Sequence, residues 1–149
     1  MKIIYYDENH LQGCASLFMS QYNHPDYGCQ FDQHKAMLYL QEIVFKPRFV
    51  GLLVLHKKEL AGFAFCHLRT WFDKDQLQVD ELIIKEEFQN QGVATKVLGF
   101  LEDYAKNYEL GGITFTTNAL TLAKFYEKRG FLAHDVTFLY KGVIGVDPL

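Results

Sequence analysis

The chain has 149 residues, 49% apolar and 22% charged, with a formal net charge of -3. That length suits one domain with a sizeable core, and the composition excludes a disordered chain. The mild acidic excess excludes the basic footprint that nucleic acid as main partner requires.

Ile3 to Tyr6 reads as a short strand, and Met1 to Asp7 turns polar too soon for a signal peptide. Leu11, Cys14, Leu17, Phe18 and Gln21 follow helical spacing. Asn23 to Gly28 carries the Asn, Pro, Asp and Gly of a loop, and Asp32 is placed to cap a second helix that ends near Pro47. Phe49 to His56 and Leu60 to Leu68 form two strands joined at Lys57-Lys58-Glu59, and Leu77 to Ile84 forms the next. Gly92 to Tyr108 is a long helix with Val93, Val97, Leu98, Leu101 and Ala105 on one stripe. Gly111-Gly112 stops it, Ile113 to Thr117 forms a strand, and Leu120 to Lys128 forms a helix closed by Gly130. Phe131 to Lys141 reads as a final strand or strand pair. The order β-α-α-β-β-β-α-β-α-β predicts an α/β chain, a mixed sheet with helices on both faces, as a single domain over residues 1–149. No apolar run reaches membrane-spanning length, and Cys14, Cys29 and Cys66 have neither disulfide nor zinc spacing. The expectation is therefore a cytoplasmic protein with no metal, no membrane partner and no nucleic acid partner.

The most informative segment runs from Val79 to Ala94. A strand, a short polar turn, Gly92 and a long helix form the layout of an anion site, because a helix start presents unpaired N–H groups and partial positive charge. Gly92 has no Cβ and tolerates positive φ, while Ala94 intrudes little. The amides of Asn90, Gln91, Gly92, Val93, Ala94 and Thr95, with Gln89 before them, can converge on a pyrophosphate. The plainer alternative is an ordinary glycine turn before a helix.

Glu81-Leu82-Ile83-Ile84, Gln89-x-x-Gly92-x-Ala94, Asn118, and Ala123-Lys124-Phe125-Tyr126-Glu127-Lys128-Arg129-Gly130-Phe131 follow one another in that order. In this the chain resembles the GNAT superfamily of N-acetyltransferases, most closely over Leu77 to Phe131. Pro47 to Gly51 and Thr116-Thr117-Asn118 look loosely like aminoglycoside 6'-N-acetyltransferase relatives. The chain departs from the family pattern where Glu86, Gln89 and Asn90 replace the frequent Pro, Arg and Gly, and Glu87 adds further negative charge, which leaves phosphate binding mostly to backbone amides and the neutral Gln89 and Gln91 side chains. The resemblance implies acetyl-CoA as co-substrate and a central sheet in which the strand ending at Ile84 splays from the next strand at Ile113 to Thr117. The pantetheine arm would pair with the main chain of Leu82, Ile83 and Ile84, and a nearby N–H would polarise the thioester carbonyl.

Direct acetyl transfer to an amine through a tetrahedral intermediate needs a proton acceptor, an oxyanion donor and an acid for the leaving thiolate. Asp80 and Glu81 are the candidates for the acceptor. Strand alternation puts them on opposite faces, with Asp80 sharing the face of Leu82 and Gln78 unless a bulge intervenes. Tyr126 resembles the family's general acid, although a packed phenol on an amphipathic helix has the same sequence appearance. Asn118 resembles the pantetheine-binding residue and also suits a helix cap. Tyr22, His24, Asp26 and Tyr27, together with Trp71, Phe72 and Asp73, are candidates for the acceptor site, with aromatic walls and carboxylates for a small-molecule amine. His56, His67 and His134 read as structural, and Cys66 as a small core residue. The alternatives are a protein or peptide N-acetyltransferase and a non-catalytic acyl-CoA-binding module. The resemblance also leaves room for a homodimer.

Overall fold

The computed structural model describes residues 1–117 and 120–148, with the side chains of Leu120 and Thr121 left aside. It divides into two compact units, Met1–Phe115 and Thr116–Leu149.

The first unit is built on five strands: β1 (Lys2–Tyr5), β2 (Phe49–His56), β3 (Glu59–Arg69), β4 (Gln76–Ile84) and β5 (Gly112–Phe115). They lie side by side in chain order, antiparallel except for the parallel pair β4–β5. Lys57 and Lys58 both adopt positive φ, giving β2 and β3 a tight two-residue connection. Helices α1 (Leu11–Tyr22) and α2 (Gln33–Val44) cover one face, and α3 (Val93–Asn107) covers the other. Asp32 caps α2 as its position predicts, accepting from the Lys35 N–H at 2.7 Å.

Alternation along the strands produces two cores. Leu53, Phe63, Phe65 and Ile83 pack with Phe18 and Leu40 beneath α1 and α2. Leu52, Ala64, Cys66 and Val79 pack with Val97 and Leu101 beneath α3. The buried stripe of α3 is the predicted one, Val93, Val97, Leu98, Leu101 and Ala105. Cys66 is fully buried in the α3-side core, and burial pushes its thiol up. Gly51 is required by close approach, since a Cβ there would lie 2.5 Å from the Phe49 ring and 2.7 Å from Tyr6.

In the second unit, α4 (Leu120–Glu127) closes at Gly130, whose φ of 92° lets its N–H reach the Glu127 carbonyl and the Phe131 N–H reach Tyr126. The final strand expected over Phe131 to Lys141 is not formed; residues 131–148 carry no strand. Alternating apolar residues become a strand only where an edge and a covering face receive them, and here Leu132, Val136 and Leu139 are exposed.

Candidate active site

The segment after β4 is shaped by two left-handed residues. Asn90 has φ 61° and Gly92 φ 80°, and Gly92 is the N-cap of α3 with no side chain capping it. The Asn90 position where the family carries Gly thus calls for a left-handed backbone, which Asn also tolerates. Among the described residues a Cβ on Gly92 would meet nothing within 4 Å, so what they require of this position is conformational. Ala94 is half-buried and Thr95 exposed on the first turn.

The glutamines do something other than expected. The Gln89 amide donates to the Ile84 carbonyl at 2.8 Å and the Gln91 amide to the Glu87 carbonyl at 3.0 Å. Both donors are turned onto the main chain, which leaves any anion to the backbone amides. Lys85 forms ion pairs with Glu59 and, at 2.7 Å, with Glu87, so the negative charge of Glu87 is matched. Lys96, exposed in the first turn of α3, is a nearby cation that motif reading passed over.

Strand β5 is shorter than β4 and is paired with it along its whole length. Their pairing runs from Gln76↔Gly112 to Val79↔Phe115, while β4 continues to Ile84. The Lys85 N–H donates to Ala61 at 2.8 Å, so by two-residue alternation the main chain of Ile83 and Glu81 faces β3. Ile83, expected to pair with the arm, is therefore committed to β3, whereas the N–H and C=O groups of Leu82 and Ile84 face away from β3, beyond the end of β5. Among the described residues no strand pairs there, and Ile84 spends its carbonyl on Gln89.

A bulge decides the acidic pair. Phe65 pairs with Glu81 but Cys66 pairs with Val79, so Asp80 is a surplus residue in β4. Both carboxylates consequently lie on the α1/α2 face, while Leu82 faces α3. This corrects the expectation that Asp80 shares the face of Leu82 with Glu81 opposite. Glu81 is only 7% exposed. It accepts from the Tyr39 hydroxyl at 2.6 Å and from Tyr22 at 3.0 and 3.3 Å. Burial raises the Glu81 carboxyl above its ordinary 4.5, against the pull of the two phenols and with a further push from Asp80. Burial first, then the Glu81 charge, pushes both phenols up, so each stays a donor. Asp80 holds the Lys46 ammonium at 3.2 Å through Oδ1 and the His67 ring at 2.6 Å through Oδ2.

Other predicted residues divide. Tyr22 joins Glu81, and Tyr27 packs on Tyr22 with ring centroids 5.3 Å apart. Asp26 turns to His24 at 3.4 Å. Trp71 and Asp73 are exposed on the loop between β3 and β4, with the Arg69 guanidinium 4.9 Å from the Trp71 ring. Among the described residues no hydrogen bond or ring contact joins that loop to Tyr22, Asp26 or Tyr27. Tyr126, in the second unit, is half-buried and edge-on to Phe125 and Phe131 at 5.3 and 5.6 Å. Asn118 lies outside the described residues. Tyr39, Lys46 and His67 were missed; only the β3–β4 pairing, which sets His67 across from Gln78, could have drawn His67 to the acids. No three His, Cys, Asp or Glu side chains among the described residues group as a metal site, and no helix there is long and apolar enough to cross a membrane.

The glycine-capped helix after β4 is the layout the sequence led us to expect, and the sequence model of the Acetyltransferase (GNAT) family matches residues 11–131. The chain belongs to this family. It is accordingly an acetyl-transferring enzyme. Solved GNAT-fold structures align over nearly its whole length. One described as a probable acetyltransferase shares 21% identity, covering 99% of this chain and 100% of its own, with TM-score 0.76. An aminoglycoside acetyltransferase from an uncultured soil metagenomic sample, in complex with trehalose, shares 15%, covers 95% of each chain and has TM-score 0.73. Aminoglycoside N-acetyltransferase AAC(6')-Iy, in complex with CoA, shares 14%, covering 95% of this chain and 93% of its own, with TM-score 0.75. At these identities the likeness is one of fold. Among curated proteins, none matches this GNAT chain.

Proposed function

We propose that this GNAT protein acetylates a primary amine of a small molecule, with acetyl-CoA as donor. The observation that carries this is that β4 runs on to Ile84 after its pairing with β5 ends at Val79, so that among the described residues no strand pairs with the Leu82 main chain between the acidic bulge and the Gly92 N-cap. The residues fit the donor: none of the described residues fills the space beside Gly92, the first turn of α3 offers backbone amides to phosphate, and the strand edge offers amide partners to an extended arm. When bound, acetyl-CoA supplies an activated acetyl thioester.

In this reading the amides from Asn90 to Thr95 hold the pyrophosphate, and the Leu82 main chain and the Ile84 N–H hold the arm, with Asn118 by the family pattern. The Leu82 N–H donates to the carbonyl oxygen as negative charge builds there. Asp80 and Glu81 draw the acceptor's ammonium, and Tyr22 and Tyr27 line its approach with aromatic surface. Tyr126 holds a proton for the departing sulfur, a role that rests on the family pattern. A small acceptor suits an acid enclosed by phenols better than an extended peptide does, and two structural relatives are named as aminoglycoside acetyltransferases. The family match crosses the division at Phe115, which supports one acetyltransferase domain.

Calorimetric titration with CoA, followed by thiol release from acetyl-CoA across a panel of small amines and peptides, tests the assignment. CoA binding with release on a small amine is expected. Release on peptides alone, or no CoA binding, sinks the proposal. Undiminished release by Tyr126→Phe would remove that residue from the proton step.

A further inference from the structure

We propose that His67, held by Asp80, takes the proton from the acceptor's ammonium; this rests on the amine-acetylating reading above. The two carboxylates expected to do so are already committed. Each Glu81 oxygen accepts from a phenol, Tyr39 on one and Tyr22 on both, and Glu81 is 7% exposed. One Asp80 oxygen holds Lys46 at 3.2 Å and the other His67 Nδ1 at 2.6 Å. His67 is in a different position. With Nδ1 on Asp80, its Nε2 has no hydrogen-bond partner among the described residues, and its side chain is 19% exposed.

The bulge makes the arrangement possible. His67 pairs across from Gln78, and the surplus residue Asp80 lies on the same α1/α2 face, beside the Glu81 phenol cluster. A carboxylate on Nδ1 fixes the tautomer with hydrogen there and the lone pair on Nε2. A neutral imidazole nitrogen with its lone pair free is a proton acceptor of the kind the step demands. The ammonium gives one proton to Nε2, leaving a neutral amine and an imidazolium whose charge Asp80 balances. That proton then leaves to solvent, matching the one proton that acetylation of an ammonium liberates per turnover. Asp80 is the positioning residue.

The groups bearing on this titration are Asp80 and Glu81 on β4, Tyr39 on α2, Tyr22 on α1, Lys46 after α2, and Arg69 two residues along β3. Arg48, which bonds Leu68 and Thr70 beside His67, is spoken for by Asp75 at 2.6 Å.

Two measurements test the proposal. Imidazole nitrogen NMR on the whole protein, with His67 assigned through His67→Gln, reads the tautomer without any ligand. Hydrogen on Nδ1 is expected, and Asp80→Asn should shift that nitrogen; hydrogen on Nε2, or no response to Asp80→Asn, overturns the dyad. Kinetics with acetyl-CoA and an aliphatic polyamine, an aminoglycoside and an arylalkylamine read the proton role. His67→Gln should lower kcat/KM about 10²–10⁴-fold and abolish the acidic limb of its pH profile, with CoA affinity unchanged by calorimetry. Retention within about threefold with the same limb overturns the assignment, threefold being far below what general-base loss costs. If His67→Gln does not fold, His67→Asn takes its place, and the tautomer is still read in the unmodified protein. An unmodified protein that turns over no amine overturns the small-amine reading and the proton role with it, while the NMR result decides the dyad separately.

Discussion

Replacing Gly92 separates two contributions that one residue makes. At φ 80°, Gly92→Ala must hold a left-handed backbone, costing about 1–2 kcal/mol. Among the described residues no clash adds to this, because none has an atom within 4 Å of its Cβ. For a chain of this size that loss corresponds to a fall of roughly 2–8 °C in Tm. Gly92→Asn tolerates the left-handed conformation better and should lose less stability. Both side chains, however, enter the space beside the first turn of α3 that is assigned to pyrophosphate. Losing one charge-assisted hydrogen bond costs about 1.5–3 kcal/mol, on the order of ten- to hundredfold in Kd. Thermal unfolding and calorimetry with CoA should therefore disagree, Asn ranking above Ala in stability while both bind CoA at least about tenfold more weakly. A Gly92→Asn protein that binds CoA as tightly as the parent refutes the cradle.

The carboxyl of Glu81 is raised by burial above its ordinary 4.5. As pH climbs from 4.5 through the raised value, the unfolded chain has given up a proton that the native state retains, so stability falls across that window. Glu81→Gln removes this penalty, and its Tm relative to the parent should move upward between pH 4 and pH 8; a difference independent of pH would show that Glu81 does not titrate there. Tyr39→Phe deletes the 2.6 Å donor to Glu81 and should lower stability by about 1.5–3 kcal/mol at pH 8, as denaturant unfolding can read. An unchanged midpoint would mean that the phenol contributes nothing. Gly51→Ala should destabilise by about 1–3 kcal/mol, because its Cβ would force apart Phe49 and Tyr6; a neutral result would mean that the aromatic cluster yields freely.

The elements legible in the sequence are those fixed by local chemistry. The stripe from Val93 to Ala105 has one period over a long helix, Asp32 carries its own cap, and Gly130 closes α4. Asp80 and Glu81 were found by motif but put on opposite faces, because no residue type announces that β4 holds one residue more than β3 can pair. That count belongs to main-chain pairing between strands joined by a loop. His67 was read as structural for the same reason: its link to Asp80 spans that loop and exists only in the bulged register. Gln89 and Gln91 were taken as anion donors, whereas their amides satisfy the carbonyls of Ile84 and Glu87, partners that only folding supplies. The strand expected from Phe131 to Lys141 had the right alternation, but alternation does not create an edge to pair with.

The surplus residue in β4 has an evolutionary meaning. Shortening β4 by Asp80 alone would leave Glu81 opposite Phe65 and Val79 opposite Cys66, so the hydrophobic register of the sheet would be preserved. Only the counter-ion of Lys46 and His67 would disappear. A single inserted or deleted codon can thus add or withdraw this part of the site while leaving the inherited scaffold readable, which makes the position a natural point for divergence among otherwise similar sheets.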